Sequence, residues 1–229
     1  MLKNNCIDYI VLYLKRVIET DGIPSNRILY KQMSAIIVDS ILQAGLNYDT
    51  VIKPRIENLL RNYPDYKTTS EFIFLYKQIS LSHLINWKNE IKLNRINNLS
   101  NYLFNFDIET PEQLLLWISK DENYIDIMKI NGIGLKTADY LRMLVGYESI
   151  PIDRHLFRFF EKMGISTLGY RQVSEICNEV SLRLQIKPHI LDAILWQHLK
   201  SIGNNYDISD EFKFFDEKDT FQLNLKSFY

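Results

Sequence analysis

Apolar residues recur every three to four positions along most of this chain of 229 residues, a spacing that places them on one face of an α-helix. The pattern is clearest in an early stripe from Ile7 to Ile18 and in a late one from Ile190 to Ile202. Alternating apolar and polar runs bounded by turn residues, which indicate β-strands, are scarce. The sequence therefore predicts an all-α fold of roughly ten helices.

Local signals predict where several helices begin and end. Thr110, Pro111 and Gln113 form a capping box with proline at the first helical position. Pro188 is predicted to begin the late helix, and Gly203 to end it in a left-handed conformation. These signals carry no chemistry of their own.

Composition excludes several classes of function. A net charge of -1 argues against a large non-specific polyanion binder but allows an enzyme that holds a few phosphates. Cys6 and Cys177 are too few for a disulfide scaffold or a four-thiolate cluster, and Cys177 is expected in the core. His83, His189 and His198 lack metal-ligand spacing, so neither a transition-metal site nor a cofactor is predicted.

No run of about 18 apolar residues is present, and the first residues lack the apolar stretch of a secretory signal. These absences predict a soluble protein of the cell interior, without a membrane segment.

A short turn between two helical patterns carries the first candidates for chemistry. The turn consists of Asn131, Gly132, Ile133 and Gly134. Two glycines one residue apart allow a backbone to approach a phosphate closely. Lys136 places an amine just inside the following helix. A loop from Gly146 to Ile152 is expected to return Asp153 toward that amine, at the start of another helix.

An amine and a carboxylate in this arrangement suit base-excision chemistry. A free lysine is protonated at neutral pH, and the positive end of a helix provides part of the environment that makes it nucleophilic. The carboxylate of Asp153 would stabilise the cationic sugar that develops when a base departs.

The segments Ile130–Asp139 and Ile150–His155 resemble the helix-hairpin-helix DNA glycosylases with a downstream catalytic aspartate, the endonuclease III and 8-oxoguanine glycosylase superfamily. The resemblance is specific from Met128 to Met163, and the helical pattern from about residue 34 to 203 is consistent with it. It implies a two-lobed all-α fold with a cleft between the lobes. The expected lobes are residues 34–150, carrying the hairpin, and residues 1–33 plus 151–229.

The resemblance also implies roles for individual residues. Lys136 would displace the base and form a Schiff base that undergoes β-elimination, while Asp153 assists base departure. Backbone amides around Gly132 and Gly134 would bind a phosphate, in some members with a monovalent cation held by the hairpin carbonyls. The remaining DNA-binding candidates in this part of the chain are Asn131, Ile133, Thr137, Arg154 and His155.

Further candidates compete with ordinary structural roles. Gln43 lies in a segment resembling the one that inserts a polar wedge in place of the flipped base, but it also suits a plain helix end. Arg154 and Arg158, one turn apart, suit either a DNA backbone or a solvated surface. Trp196 and Gln197 are candidates for the damaged-base pocket, with core packing as the alternative.

Three departures from the family narrow the prediction. Asn131 replaces the proline that commonly precedes the first glycine, and the four cysteines of the endonuclease III cluster are missing from the sequence. The 229 residues are also expected to be too few and too helical to include the N-terminal β-rich domain of the eukaryotic 8-oxoguanine enzyme. The chain thus resembles a compact, cluster-free prokaryotic or archaeal form.

The predicted function is base-excision glycosylase and abasic-site lyase on double-stranded DNA, with 8-oxoguanine as the favoured damaged base. An oxidised pyrimidine or an alkylated purine is the alternative substrate. A non-catalytic helix-hairpin-helix module that tethers a partner to DNA is the alternative class, followed by a helical scaffold without a DNA role. The prediction includes a monomer in the cytoplasm, associated with the nucleoid.

Overall fold

The computed structural model describes residues 2–24, 29–163 and 168–202, and all regular structure within those ranges is helical. The all-α prediction is therefore confirmed. The helices are α1 (Leu2–Asp21), α2 (Met33–Leu42), α3 (Lys53–Asn62), α4 (Thr69–Ile79), α5 (Leu81–Leu84), α6 (Glu90–Asn105), α7 (Pro111–Ile118), α8 (Asp121–Ile127), α9 (Leu135–Leu144), α10 (Arg154–Lys162), α11 (Tyr170–Leu184) and α12 (Pro188–Ile202). A single π-helical turn, Tyr48–Ile52, precedes α3.

The predicted starts of α7 and α12 are confirmed. Thr110 caps α7 by accepting a hydrogen bond from the Gln113 amide, the Gln113 side chain bonds back to the Thr110 amide, and Pro111 is the first helical residue. Pro188 begins α12. Gly203 lies outside the described residues, as does the rest of the C-terminal tail.

Two compact units divide the chain, one formed by residues 28–151 and the other by residues 1–27 and 152–229. The first unit contains α2 to α9, and the second contains α1 and α10 to α12. The assignment of DNA-binding lobes to residues 34–150 and to residues 1–33 plus 151–229 stays a prediction.

Helix α2 lies at the centre of the first unit. All ten of its residues are buried, and it packs against α6, α9, α3 and α4. A helix that is apolar on every side is stable only when other helices surround it. Packing on all sides therefore holds α2 in place up to its last residue, Leu42. Gln43 is its C-terminal cap.

A buried carboxylate interrupts this apolar helix. Asp39 is 1% exposed, and its two oxygens accept hydrogen bonds from the Tyr30 hydroxyl at 2.9 Å and the Tyr140 hydroxyl at 3.3 Å. Burial raises the pKa of Asp39 to about 6, although these two hydrogen bonds act in the opposite direction. The folded state therefore holds a proton on Asp39 at pH values where the unfolded chain has lost it.

This difference makes stability depend on pH. Because the folded pKa exceeds the unfolded one, this group's contribution to stability decreases as pH rises from about 4 to about 6, by up to about 3 kcal/mol. We expect Asp39→Asn, which keeps an acceptor oxygen, to remove this dependence. Urea unfolding at about pH 3.5 and about pH 7.5, which lie on either side of this range, measures the dependence. Equal pH dependence in the two proteins would contradict the assignment.

In the second unit, α1 packs against α11 and α12, and α10 packs against α12. Phe159 and Phe160 of α10 are buried in its core. His198 of α12 joins α1 through two hydrogen bonds, one to the Tyr13 hydroxyl at 2.6 Å and one to an Asp21 carboxylate oxygen at 3.1 Å. These bonds fix the C-terminal part of α12 against both the middle and the end of α1.

Among the described residues, none of the helices is both long and apolar enough to cross a membrane.

Candidate active site

The hairpin joins α8 to α9 through a turn with one left-handed residue. Gly132 has φ of +88°, a conformation that glycine adopts at little cost. The Ile133 amide donates to the Ile130 carbonyl at 3.0 Å, and the Ile133 side chain is buried. Asn131, Gly132 and Gly134 are exposed. The buried side chain of Ile133 thus anchors the predicted turn to the core. The other three residues of the turn are exposed to solvent.

Gly134 is the N-terminal cap of α9, with an extended backbone and no side-chain capping bond. A Cβ added to Gly134 would meet no atom within 4 Å. The space beside the cap of α9 is therefore open, and the unpaired amides and the dipole of the first turn give positive potential at this end of the helix. A backbone arranged in this way suits an anion.

Lys136 is the second residue of α9 and is half-buried. Its amine has no hydrogen bond or ion pair with another described residue. Thr137 follows it, also half-buried. Because no carboxylate or carbonyl oxygen of a described residue binds the Lys136 amine, the amine is available for contact with a ligand.

Lys92 and Arg95 of α6 lie in the same region, although no motif in the sequence marks either residue as part of a site. The Lys92 amine donates to the carbonyl oxygens of Ile41 at 2.9 Å, Ala44 at 2.8 Å and Leu42 at 3.4 Å. Its pKa is lowered to about 8, first by burial and then by the charges of Arg95 and Lys136. Lys92 therefore caps the C-terminal end of α2. It also lies close enough to Arg95 and Lys136 for their charges to lower its pKa.

Gln43 lies in the segment that Lys92 holds. Its side chain is half-buried, and its Oε1 atom is enclosed without a hydrogen-bond partner among the described residues. Lys92 bonds to carbonyls on either side of Gln43, at Ile41 and Ala44. The backbone at Gln43 is thus fixed while its side-chain oxygen remains unsatisfied, which is unusual for an ordinary helix end.

Asp153 belongs to the second unit and caps α10. One of its carboxylate oxygens accepts from the His155 amide at 2.8 Å and from the Leu156 amide at 3.1 Å. The prediction that Asp153 begins a helix is confirmed. The contact between Asp153 and His155 is made by the backbone of His155, whose ring is half-buried, and Arg154 and Arg158 are exposed.

The pocket candidates lie on the exposed side of α12. Trp196 is 44% exposed, and the Lys200 amine lies 4.8 Å from its ring centre. Gln197 is exposed, and its side-chain amide donates to the Asp21 carbonyl at 3.4 Å. Core packing therefore does not explain either side chain. A role in base recognition stays a prediction.

The candidate residues fall into two groups. The first unit holds the hairpin, Lys136 and Gln43, together with Lys92 and Arg95. The second unit holds the group that consists of Asp153, Arg154, His155, Trp196 and Gln197. No group of three or more potential metal-ligating side chains occurs within the described ranges.

Comparison with solved structures identifies the fold. The chain resembles the crystal structure of Clostridium acetobutylicum 8-oxoguanine glycosylase/lyase in complex with double-stranded DNA containing cytosine opposite to 8-oxoguanine. The TM-score is 0.57 at 14% sequence identity, and the match covers 87% of this chain and 69% of that one. At this identity the likeness shows a shared all-α fold.

Sequence comparison gives a family without a described activity. No functionally curated protein matches the chain. A family model described as a domain of unknown function (DUF8548) matches residues 85–200, just over half of the chain. That range includes Lys92, Arg95, the hairpin, Lys136 and Asp153. The chain therefore belongs to the DUF8548 family.

Proposed function

We propose that this chain is a DNA glycosylase with abasic-site lyase activity, which removes a damaged base from double-stranded DNA. The observation that carries the proposal is the Lys136 amine, which has no partner among the described residues and follows the exposed Gly134 of the hairpin by two residues. The fold shared with an 8-oxoguanine glycosylase/lyase supports the same reaction class. We further propose 8-oxoguanine as the preferred base.

The chemistry proceeds in two stages. The neutral Lys136 amine attacks the anomeric carbon of the damaged nucleotide, and the glycosidic electron pair leaves with the base, which takes up a proton. The bond between that carbon and the ring oxygen then breaks, the oxygen takes up a proton from solvent to become a hydroxyl, and an iminium remains between Lys136 and the carbon. Loss of a proton from the neighbouring carbon then expels the 3′ phosphate by β-elimination, and water releases the lysine.

Asp153 acts in the first stage. Positive charge develops on the sugar as the glycosidic bond breaks, and a carboxylate stabilises this charge more strongly in the transition state than in the ground state. One oxygen of Asp153 is already bonded to two backbone amides, which orient the carboxylate. The proposal therefore assigns Asp153 to base departure and Lys136 to covalent attachment.

A tether without catalytic activity would use the hairpin and the neighbouring cations to hold DNA. Such a module does not need Lys136 together with the carboxylate of Asp153, the two groups that the glycosylase reaction uses. We therefore favour the enzyme.

The test is a panel of duplexes that each contain one damaged base. We expect release of 8-oxoguanine followed by strand cleavage. Cleavage only at an oxidised pyrimidine or an alkylated purine would retain the reaction and correct the substrate. Tight binding with no base release on any duplex would favour the tether.

The open space at Gly134 permits a sharp test of the hairpin. Its φ of -104° is accessible to any residue and nothing lies within 4 Å, so Gly134→Val should leave the fold intact. A branched side chain at this position would keep a phosphate away from the first amides of α9. We expect a loss of about tenfold in affinity for duplex DNA, the value of one hydrogen bond to a charged group.

Gly169→Val is the matched control, because Gly169 is also a helix N-cap with an extended backbone, at the start of α11. Both variants bear the same cost of valine at a cap. Fluorescence anisotropy on a duplex with an abasic-site analogue compares them. Equal affinities for the two variants would show that the hairpin does not face DNA.

A further inference from the structure

Arg95 lies directly against the hairpin. A Cβ built on Gly132 would come within 1.9 Å of the Arg95 Nε atom and 2.3 Å of its Cζ atom. The guanidinium therefore occupies the space that a side chain at residue 132 would fill. Gly132 thus meets two needs, since its φ of +88° also favours glycine. Gly134, in contrast, has nothing above it.

The guanidinium of Arg95 has no partner in the described part of the chain. It forms neither a hydrogen bond nor an ion pair with any described residue, and Arg95 is half-buried. A guanidinium carries five donors in a rigid planar arrangement and normally satisfies several of them when it is partly covered. Packing on Gly132 therefore leaves these donors without a partner among the described residues.

Two further positive charges near the Arg95 guanidinium destabilise this arrangement when no anion is bound. Arg95 and Lys136 both act electrostatically on Lys92 and lower its pKa, so three cations lie close together. No carboxylate among the described residues pairs with Arg95 or Lys136. Like charges held together destabilise a fold unless an anion compensates them. The arrangement is explained if an anion binds across the hairpin.

We propose that Arg95 binds a backbone phosphate of the DNA duplex, next to the hairpin amides of α9. This inference rests on the proposed function and adds a specific backbone contact to it. Arginine suits the position because its planar fork binds phosphate oxygens in pairs. The phosphate would lie over the turn at Gly132, while the open space above Gly134 admits the backbone to the helix amides.

The experiment measures how salt affects binding. Arg95→Met keeps the aliphatic stem over Gly132 and removes the charge. On a duplex with an abasic-site analogue, we expect about tenfold weaker binding at low salt. We also expect the slope of log affinity against log salt concentration to become shallower by about one, the signature of one lost phosphate contact. Arg95→Lys should keep the wild-type slope with intermediate affinity.

Arg61→Met is the matched control, because Arg61 is an exposed arginine in the last turn of α3, within the same unit. It should leave the slope unchanged. Urea unfolding measures the effect of each variant on the fold. Weaker binding by Arg95→Met at an unchanged slope would overturn the proposal, because it would show a packing role only. Unchanged binding by both Arg95 variants would overturn it as well.

The outcome is separable from that of the proposed function. If wild-type protein binds duplex with an Arg95-dependent slope but releases no base, the phosphate contact stands and the enzymatic proposal fails. If base release depends on Lys136 but the salt dependence of binding is the same with and without the Arg95 side chain, the enzymatic proposal is supported and the proposed phosphate contact is wrong.

Discussion

Lys136→Gln is expected to lower base release and strand cleavage by a factor on the order of 10⁴, because it removes the nucleophile itself. The variant should fold normally. Lys136 has no hydrogen bond or ion pair with a described residue, and glutamine has a helix propensity close to that of lysine. Single-turnover assays on a duplex with one damaged base measure the rate, and borohydride trapping on abasic-site duplex measures the covalent adduct.

Lys129→Gln is the control for this prediction. Lys129 is an exposed lysine between α8 and the hairpin, and it pairs with Asp126. It matches the charge change at Lys136 without removing the proposed nucleophile. We expect wild-type trapping in this variant. Trapping that survives in Lys136→Gln would show that another amine forms the adduct, and Lys92 would then be the first to replace, because its lowered pKa makes its neutral form accessible.

Asp153→Asn should slow base release by about 10²-fold to 10³-fold, the effect of removing one preorganised electrostatic contact from a transition state. DNA affinity should change little, because the carboxylate acts on charge that is absent from the ground state. On a preformed abasic site the base has already gone. Trapping there should therefore be affected far less than release from a damaged duplex.

The capping role of Asp153 determines which substitution is informative. Its carboxylate accepts from the His155 and Leu156 amides, and asparagine serves this position equally well. Asp153→Ala is the comparison, since it should lose the same chemistry together with about 1 kcal/mol of folding stability. Equal rates of base release in Asp153→Asn and in the wild-type protein would show that Asp153 is a helix cap only.

The fold was predictable where the signals are local. The capping box at Thr110, the proline at residue 188 and the cap at Asp153 each specify a boundary within four residues of sequence, and the structure has all three. The glycine turn between α8 and α9 was predictable for the same reason. The residue in the left-handed conformation is Gly132, the first of the two glycines in the turn.

The cationic part of the site was not predictable from the sequence alone. Lys92 reaches carbonyls about 50 positions earlier in the chain, and Arg95 packs on a glycine 37 positions later. In sequence these two residues are ordinary charges one turn apart on a helix. Only the tertiary structure, in which Arg95 lies against Gly132 and both Arg95 and Lys136 act electrostatically on Lys92, shows that they belong with the hairpin.

The buried network around Asp39 was missed for a related reason. A single aspartate within an apolar helix suggests a surface position, and its partners Tyr30 and Tyr140 lie 9 and 101 residues away. Exposure at Trp196 was likewise not deducible, because a tryptophan in an apolar helical stripe is usually buried.

The central claim is that the Lys136 amine forms a covalent bond with the sugar of DNA. Wild-type protein incubated with abasic-site duplex and borohydride, then digested and analysed by mass spectrometry, tests it directly. We expect one modified peptide, with the reduced sugar on Lys136. A sugar adduct on a different lysine, or no adduct under conditions in which the protein binds the duplex, would contradict the account.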